Sequence, residues 1–322
     1  FEQYTGFWID EKENTRLDLR EKAEQIAERV KGQRGIVSEI VKEEKRQLPP
    51  LLYDLTELQR ECNRKFGFSA KKTLDIAQSL YEKRKMITYP RTDSRYLSDD
   101  MVGKIKQTLG RLKDVPEFYP YAAEVLAKEK LPLSKRIIDN SKVTDHHALI
   151  PTINDTTKDK YYSLSVDEKN VFDAIVYRFL AIFYPPYEYG STTLVTRIDD
   201  LYFRSRGISV KALGYKEILQ EKDAADAENS IIPLLHTGET AEVKNVECVS
   251  KKTSPPPKYT VDSIITLMQK YGIGTSATMA EIVKKLQNPK RQSIVLENGV
   301  YSSTAFGRKF ISVVPDLSLI HI

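Results

Sequence analysis

Apolar residues follow two different periods along this chain. They recur at helical spacing over residues 17–30, and they alternate between two faces, as in a strand, over residues 35–45. Strand-forming residues return at Ser191 and continue to Val249, whereas the pattern between these regions is mostly helical. Strand character on both sides of a helical block indicates that residues 52–184 are an insertion and that the two flanks fold together as one sheet domain.

Capping residues mark where the helices of this block begin. Asp54 and Ser165 each have a glutamate three residues later, which is the spacing of a capping box, and Ser69 is a further N-cap for a helix that runs to about Lys83. Tyr89 follows this helix. The residue before a proline favours extended backbone, so Tyr89 is predicted to lie at a strand end or in a loop.

The last part of the chain has another pattern. Thr253–Pro257 is predicted to be a linker, and helices are predicted over Val261–Tyr271 and Ala277–Leu286, in a helical region that covers residues 258–310. Ser318–Ile322 carries no helix stop signal and is interpreted as a truncated or artefactual end. The whole order of elements predicts an α+β multidomain protein.

Composition excludes several classes of protein. Of the 322 residues, 40% are hydrophobic and 30% are charged, which is typical of a globular chain and too apolar for a disordered one. The best candidate for a membrane span, Val171–Tyr184, contains Arg178 and is shorter than the ~18–20 residues of a membrane helix. No signal peptide is visible at the N-terminus, and the first residue is not Met, which suggests a piece of a longer chain.

Charge and cysteine content limit the kind of partner and the cellular compartment that we expect. The 50 Lys and Arg residues exceed the 45 Asp and Glu residues, which gives a net charge of +5 and permits a polyanionic partner. Cys62 and Cys248 are far apart and no CxxC spacing occurs, which excludes a cysteine zinc site and a disulfide framework. A reducing, intracellular setting is therefore expected.

Residues 87–95 concentrate groups that suit phosphate chemistry. The Tyr89 phenol is a poor nucleophile at neutral pH because the pKa of a tyrosine is near ~10, but a close guanidinium favours the phenoxide and binds phosphate oxygens. Tyr89 and Arg91 are two residues apart, so they point the same way on an extended chain. This arrangement suits an enzyme that forms a phosphotyrosyl bond, and the alternative is a polar loop with a half-buried structural tyrosine.

Two further segments carry candidate phosphate ligands. His146 and His147, two of the four histidines, can donate to phosphate or move a proton, but they are not spaced as a metal motif, and an ordinary pair of loop histidines is the alternative. Gly272–Thr278 begins a helix whose backbone amides could hold a phosphate. The sequence contains neither a P-loop nor a DxDxE run, so neither ATP use nor a magnesium site is indicated by this chain.

Basic residues gather before Tyr89. Between Pro50 and Arg91, nine basic residues exceed five acidic ones, so most of the surplus charge surrounds this tyrosine. Such clusters bind phosphate backbones, although solvated helix faces often share this composition. The basic residues are Arg60, Arg64, Lys65, Lys71, Lys72, Lys83, Arg84, Lys85 and Arg91.

Together, these segments resemble the type IA DNA topoisomerases, and among them the bacterial topoisomerase III branch. Residues 58–94, which end in the string ITYPRTDS, resemble the active-site region of the family. Residues 145–152 resemble its histidine motif, and residues 255–278 resemble the return of the chain into its fourth domain. The match covers nearly the whole chain in the right order.

The resemblance implies a ring of four domains. By this analogy, residues 1–51 and 185–250 form a β-rich arch domain, residues 52–184 form an inserted helical domain that bears Tyr89, and residues 251–322 form part of a helical base domain. The chain is then a partial toroid that lacks the N-terminal Toprim domain of the family.

The resemblance also implies a mechanism. Tyr89 attacks one DNA strand and forms a 5′-phosphotyrosyl bond, a second strand passes, and religation relaxes or decatenates the DNA without ATP. Arg91 stabilises charge on the scissile phosphate, and His146 contacts that phosphate. The implied DNA-binding positions are Gln78, Tyr81, Thr88, Asp93, Lys71, Lys72 and Thr278.

Cofactors and partners follow from the same resemblance. Mg²⁺ belongs to the Toprim domain, so this chain by itself is expected not to complete cleavage and religation. Single-stranded DNA is the expected substrate, and a helicase is the expected cellular partner. The protein is expected to be a monomer without membrane association, in the bacterial cytoplasm at the nucleoid. Ser276 and Met279 depart from the family pattern, which implies weaker DNA contact.

Other classes of protein fit parts of the sequence. Tyrosine recombinases place their nucleophile after the arginine and histidine groups, whereas Tyr89 precedes His146. Relaxases use a His-hydrophobe-His pair, whereas His146 and His147 are adjacent. A non-catalytic module that binds single-stranded nucleic acid is the second alternative.

Overall fold

The structure is a computed structural model. The tail Ser318–Ile322 lies outside the residues that it describes, as does Ala277 at the predicted start of a helix. Within the described part of the chain, no helix is both long and apolar enough to cross a membrane. The described residues are 3–152, 157–220, 232–276 and 278–314.

Packing divides the chain into two compact units. The first comprises Phe1–Leu48 and Pro185–Ser254, and the second comprises Pro49–Tyr184 and Pro255–Ile322. Each unit is therefore built from two separate stretches of the chain. The division of the second unit into an inserted domain and a base domain that begins at residue 251 stays a prediction.

The first unit contains one antiparallel sheet. Its elements are β1 (Phe7–Ile9), α1 (Arg20–Val30), β2 (Arg34–Gln47), β3 (Tyr187–Ile198), β4 (Leu201–Ala212), α8 (Lys216–Leu219) and β5 (Thr240–Glu242). The strands lie in the order β1-β4-β3-β2-β5. β2 pairs with β3 from Ile36 opposite Arg197 to Gln47 opposite Tyr187, so the two flanks share one sheet, as the alternating pattern predicted.

The sheet ends sooner than the sequence predicted. Strand-forming residues continue to Val249, but β5 ends at Glu242 and pairs only with the first residues of β2. The amide of Val243 makes one more bond, to the carbonyl of Gln33. Because β2 begins at Arg34, the residues beyond Val243 have no strand to pair with, and the prediction of strand structure to Val249 is wrong.

The second unit is mostly helical. Its elements are α2 (Leu55–Phe66), α3 (Ala70–Glu82), α4 (Val102–Leu112), α5 (Tyr119–Leu126), α6 (Thr157–Tyr162), α7 (Val166–Ala181), α9 (Val261–Lys270), α10 (Met279–Leu286), β6 (Ile294–Glu297), β7 (Val300–Ser303) and α11 (Ala305–Val313). α3 packs along α7, where Leu74, Ala77 and Leu80 are buried together with Phe172 and Ile175. This packing fixes the helix that leads into Tyr89.

The predicted helix starts are confirmed. The Asp54 carboxylate accepts the Glu57 amide at 2.6 Å, and the Ser69 hydroxyl accepts the Lys72 amide at 3.1 Å. Ser165 and Glu168 form a complete capping box, in which each side chain accepts the backbone amide of the other.

The region over residues 258–310 is not wholly helical. β6 and β7 form a hairpin between α10 and α11. Asn298 and Gly299 at its turn have φ of 51° and 78°, which is the left-handed conformation that two-residue hairpin turns require. The prediction missed this hairpin, although an Asn-Gly pair after an Ile-Val-Leu run is its usual sequence signal.

Candidate active site around Tyr89

Tyr89 lies on an extended segment that leaves α3 by a tight turn. Lys85 adopts a left-handed conformation, with φ of 56°, and the Met86 amide donates back to the Leu80 carbonyl at 2.9 Å. The Thr88 amide then donates to the Ile150 carbonyl at 3.0 Å, and its hydroxyl donates to the Ala148 carbonyl at 3.2 Å. The predicted loop position of Tyr89 is confirmed. Residues 145–152, here called the histidine segment, hold that loop through these hydrogen bonds.

Burial alternates along the segment from Tyr89 to Ser94. Pro90, Thr92 and Ser94 are buried, whereas Arg91 and Asp93 are exposed and Tyr89 is half-buried. An extended chain places every second side chain on the same side. The two exposed charges therefore lie on the side of the segment that solvent can reach.

His146 is the histidine that meets the tyrosine. Its ring centroid lies 4.4 Å from that of Tyr89, with the planes tilted by 44°. The Thr92 hydroxyl donates to the His146 carbonyl at 3.1 Å, which ties the two segments together next to the ring contact. The neighbouring His147 places Nδ1 2.8 Å from the Ala148 carbonyl, so this imidazole faces its own backbone.

The end of α3 supplies a second aromatic contact. The rings of Tyr81 and Tyr89 are 5.4 Å apart and meet edge to face at 80°. Gln78 lies about one turn before Tyr81 and is half-buried. The structure therefore brings Tyr81, Tyr89 and His146 into one row of rings, with Thr88 fixing the backbone beneath it.

Glu168 of α7 holds the last turn of α3 in place. It accepts hydrogen bonds from the Ser79 hydroxyl at 3.0 Å and from the Arg84 guanidinium at 3.2 Å. Burial by itself raises the pKa of this carboxyl, but the bonds from the Ser165 amide, Arg84 and Ser79 outweigh burial and lower the pKa to about 2. The sequence showed Glu168 only as a capping residue, because its partners are distant along the chain.

Lys71 and Lys72, two of the predicted DNA contacts, are paired with carboxylates. Lys71 contacts Asp75 and lies 3.7 Å from Glu281, and Lys72 lies 2.8 Å from Asp167. Four more of the nine basic residues also form ion pairs, namely Arg60, Arg64, Lys65 and Arg84. Within the described ranges, only Lys83, Lys85 and Arg91 of this set have no ion pair, so the positive charge left for a ligand concentrates at Tyr89.

Thr278 belongs to a separate turn of the same unit. Its hydroxyl accepts the Thr275 amide at 2.8 Å, just before α10 begins. Gly274 makes this turn possible, since it has φ of 79°. Ser276 and Met279 beside it are buried, whereas Thr278 itself is exposed. None of the hydrogen bonds of Thr278 within the described ranges reaches Tyr89 or His146.

A buried network that sequence reasoning missed lies below the site. Arg178 of α7 is 3% exposed, donates to the Tyr53 hydroxyl at 3.0 Å and lies 3.8 Å from Glu61. Leu149, in the histidine segment, donates its amide to the Tyr53 carbonyl at 2.8 Å. Burial of the phenol raises the pKa of Tyr53 despite the guanidinium, so this tyrosine stays neutral and structural.

The described residues do not fit a resident metal ion. Across ranges 3–152, 157–220, 232–276 and 278–314, no group of three or more His, Cys, Asp or Glu side chains could hold one. The donors around Tyr89 are a phenol, an imidazole, hydroxyls and a guanidinium, which suit phosphate oxygens better than a divalent cation.

The fold and the tyrosine site together define a class of protein. The sequence profile of the DNA topoisomerase family matches residues 1–321, so the chain belongs to this family, in its type IA branch. DNA topoisomerases are isomerases, and the sequence prediction of an enzyme family is confirmed.

Individual relatives agree with this assignment. DNA topoisomerase 3 of Bacillus cereus strain ATCC 14579 is 37% identical over 96% of this chain and 45% of its own length. The enzyme of the same name from Bacillus subtilis strain 168 is 33% identical over the same shares. The solved structure of full-length topoisomerase I from Thermotoga maritima superposes with a TM-score of 0.73 and 28% identity, covering 95% of this chain and 48% of that one. The chain spans about half the length of these relatives.

Proposed function

We propose that this chain carries the nucleophile of an enzyme that cleaves one DNA strand, lets another strand pass and reseals the break. The observation that supports this most directly is the row of Tyr81, Tyr89 and His146, with exposed Arg91 two residues further on, in a member of the DNA topoisomerase family.

The proposed reaction is a transesterification at phosphorus. The Tyr89 oxygen attacks, the bond from phosphorus to the 3′ oxygen breaks, and the strand's 5′ phosphate becomes a tyrosyl ester. The proton that the phenol loses is balanced by the proton that the departing 3′ oxygen gains. One phosphodiester is exchanged for another, so the cycle needs no ATP, and religation is the reverse step.

The residues around Tyr89 have separate proposed roles. Arg91, exposed and without an ion pair in the described ranges, stabilises the charge that develops on the phosphate. His146 contacts the same phosphate and orients the phenol through the ring contact. Gln78, Tyr81, Thr88, Asp93 and Thr278 line the strand, and Lys71 and Lys72 contact it at its edge, where DNA phosphates compete with their carboxylate partners.

The proposal places Mg²⁺ outside this chain. The described residues provide no set of ligands for it, and the family resemblance assigns it to a Toprim domain. The chain alone is therefore proposed to bind single-stranded DNA without completing the cycle. A monomeric enzyme in the bacterial cytoplasm, at the nucleoid and with a helicase partner, is proposed on the family resemblance alone.

The experiment compares this chain with a protein extended to the full length of its relatives. Each is incubated with a labelled single-stranded oligonucleotide and Mg²⁺ and stopped with detergent, and plasmid relaxation is followed in parallel. We expect both proteins to bind DNA, and only the extended protein to give a covalent adduct and relax the plasmid.

Two results would contradict the proposal. Relaxation by this chain alone would show that no outside residues are needed. Binding without any adduct from the extended protein would favour the non-catalytic binding module.

A further inference from the structure

Lys85 occupies a backbone position that ordinarily takes glycine. Its φ of 56° follows the last turn of α3, where the Met86 amide donates back to the Leu80 carbonyl. Lys85 lies two residues after Lys83, the C-cap of α3, and glycine adopts its left-handed conformation more readily because a side chain is disfavoured there. Strain that persists in a folded protein is a reason to ask what the side chain does.

The side chain reaches back over the site. The Lys85 ammonium lies 5.5 Å from the centre of the Tyr81 ring, and the Tyr81 ring lies 5.4 Å from that of Tyr89. The lysine is exposed, and no carboxylate pairs with it among the described residues, whereas six of the nine basic residues before Tyr89 are paired. Its charge is therefore available to a ligand.

The position of the residue is also fixed from the other side. The Thr152 hydroxyl donates to the Lys85 carbonyl at 3.1 Å, and the Thr152 amide donates to the Met86 carbonyl at 2.8 Å. The histidine segment thus holds the backbone of Lys85 as well as that of Thr88. A cation on a fixed backbone loses less freedom when it binds than one on a mobile loop.

We propose that Lys85 binds a phosphate of the DNA strand next to the one that Tyr89 attacks. This inference rests on the proposed function and adds a residue to it. Lys85 then fixes the position of the DNA strand over Tyr81, while Arg91 stabilises the charge on the scissile phosphate. The opposing view is that the lysine only stabilises the Tyr81 ring through a cation–π contact.

Salt dependence of binding separates these views. The affinity of this chain for a fluorescent single-stranded oligonucleotide is measured at several salt concentrations for wild type, Lys85→Gly, Lys85→Arg and Lys113→Ala. Lys113 is an exposed lysine at the end of α4 in the same unit, and it makes no ring contact among the described residues, so its loss removes one charge without removing such a contact. Each phosphate contact to a single strand contributes about 0.7 to the slope of log affinity against log salt.

We expect Lys85→Gly to lower the slope by about 0.7 and the affinity roughly three- to tenfold, Lys85→Arg to keep both, and Lys113→Ala to change neither. Lys85→Gly should melt no lower than wild type, because glycine suits the backbone. Equal slopes for wild type and Lys85→Gly, an equal effect of Lys113→Ala, or a lower melting temperature for Lys85→Gly would overturn the inference. Absence of binding by wild type would instead count against the proposed function.

Discussion

The phenol ring of Tyr89 packs on the imidazole ring of His146 at 4.4 Å between centroids, although the two residues belong to different segments. The Thr88 hydroxyl donates to the Ala148 carbonyl and the Thr88 amide donates to the Ile150 carbonyl, and these bonds hold the segments side by side. The chain's own hydrogen bonds thus hold the proposed nucleophile and the proposed phosphate ligand together, and such an arrangement reduces the cost of reorganisation during reaction.

Thr92 should be needed for this arrangement. Thr92→Val keeps the shape of the side chain but removes the donor to the His146 carbonyl and the acceptor of the Ser94 amide, both at 3.1 Å. The Ser94 amide is buried, and a buried donor left without a hydrogen bond costs about 1–3 kcal/mol. We expect urea denaturation to show a loss of that size in the free energy of unfolding.

Exposed Thr144 is the matched control. Thr144→Val should change the free energy of unfolding by less than about 0.5 kcal/mol. Equal values for both variants would show that the hydroxyl of Thr92 does not stabilise the junction of the two segments.

Glu168 should make stability depend on acid pH. Its pKa in the folded protein is lowered to about 2, from an ordinary value of 4.5, so the unfolded chain binds the proton more readily. The stabilisation is therefore complete above the unfolded pKa and is lost as the pH falls from about 4.5 towards 2. The difference in unfolding free energy between wild type and Glu168→Gln should shrink over that range.

Asp167→Asn removes the neighbouring carboxylate and is the control for this titration. Its ion pair with Lys72 is about half exposed, and such pairs contribute at most about 1 kcal/mol. If the difference between wild type and Glu168→Gln stays constant between pH 7 and pH 3, the hydrogen bonds from the Ser165 amide, Arg84 and Ser79 do not lower the pKa of Glu168.

In the turn that holds Thr278, substitution by alanine should destabilise the protein more at Gly274 than at Gly272. Both have positive φ, so Ala at either position costs about 1 kcal/mol from the backbone. A Cβ at Gly274 would also lie 2.8 Å from Ile282 and 3.0 Å from the Thr278 hydroxyl, whereas nothing lies within 4 Å of one at Gly272.

We therefore expect Gly274→Ala to unfold at lower urea than Gly272→Ala and to bind single-stranded DNA more weakly. Anisotropy titrations of the two variants check the second point. Equal binding by both would remove Thr278 from the proposed DNA surface.

Local signals in the sequence were sufficient for much of the fold. Three helix starts were predictable because capping depends on residues only three positions apart. The hydrogen bonds of the N-caps Asp54, Ser69 and Ser165 confirm these starts. The pairing of β2 with β3 was predictable because strand character on both sides of a helical block indicates that the two flanks form one sheet. The limits of β5 were not, since they depend on where its partner begins.

In the candidate site, too, local sequence predicted some features, whereas contacts between distant residues were not predictable. A dense motif drew attention to Tyr89, Arg91 and His146, and the structure brings the tyrosine and the histidine into contact. Other contacts join residues that are distant in sequence. Glu168 accepts a hydrogen bond from Ser79 of α3, and Lys71 and Lys72 form ion pairs with Glu281 and Asp167 on other helices. Periodicity and composition carry no information on such partners. The free charge around Tyr89 was overestimated also because local pairs, such as Lys65 with Glu61 and Lys71 with Asp75, were not counted, although their i,i+4 spacing is visible in the sequence.

In the proposed reaction, the Tyr89 oxygen becomes covalently joined to DNA. The most direct measurement is mass spectrometry of the peptide that carries the nucleotide, after trapping and digesting the adduct formed by the extended protein, with Tyr89→Phe as the companion. We expect a 5′-nucleotide on Tyr89, and no adduct but unchanged DNA binding from Tyr89→Phe. A nucleotide on any other residue, or an undiminished adduct from Tyr89→Phe, would contradict the account.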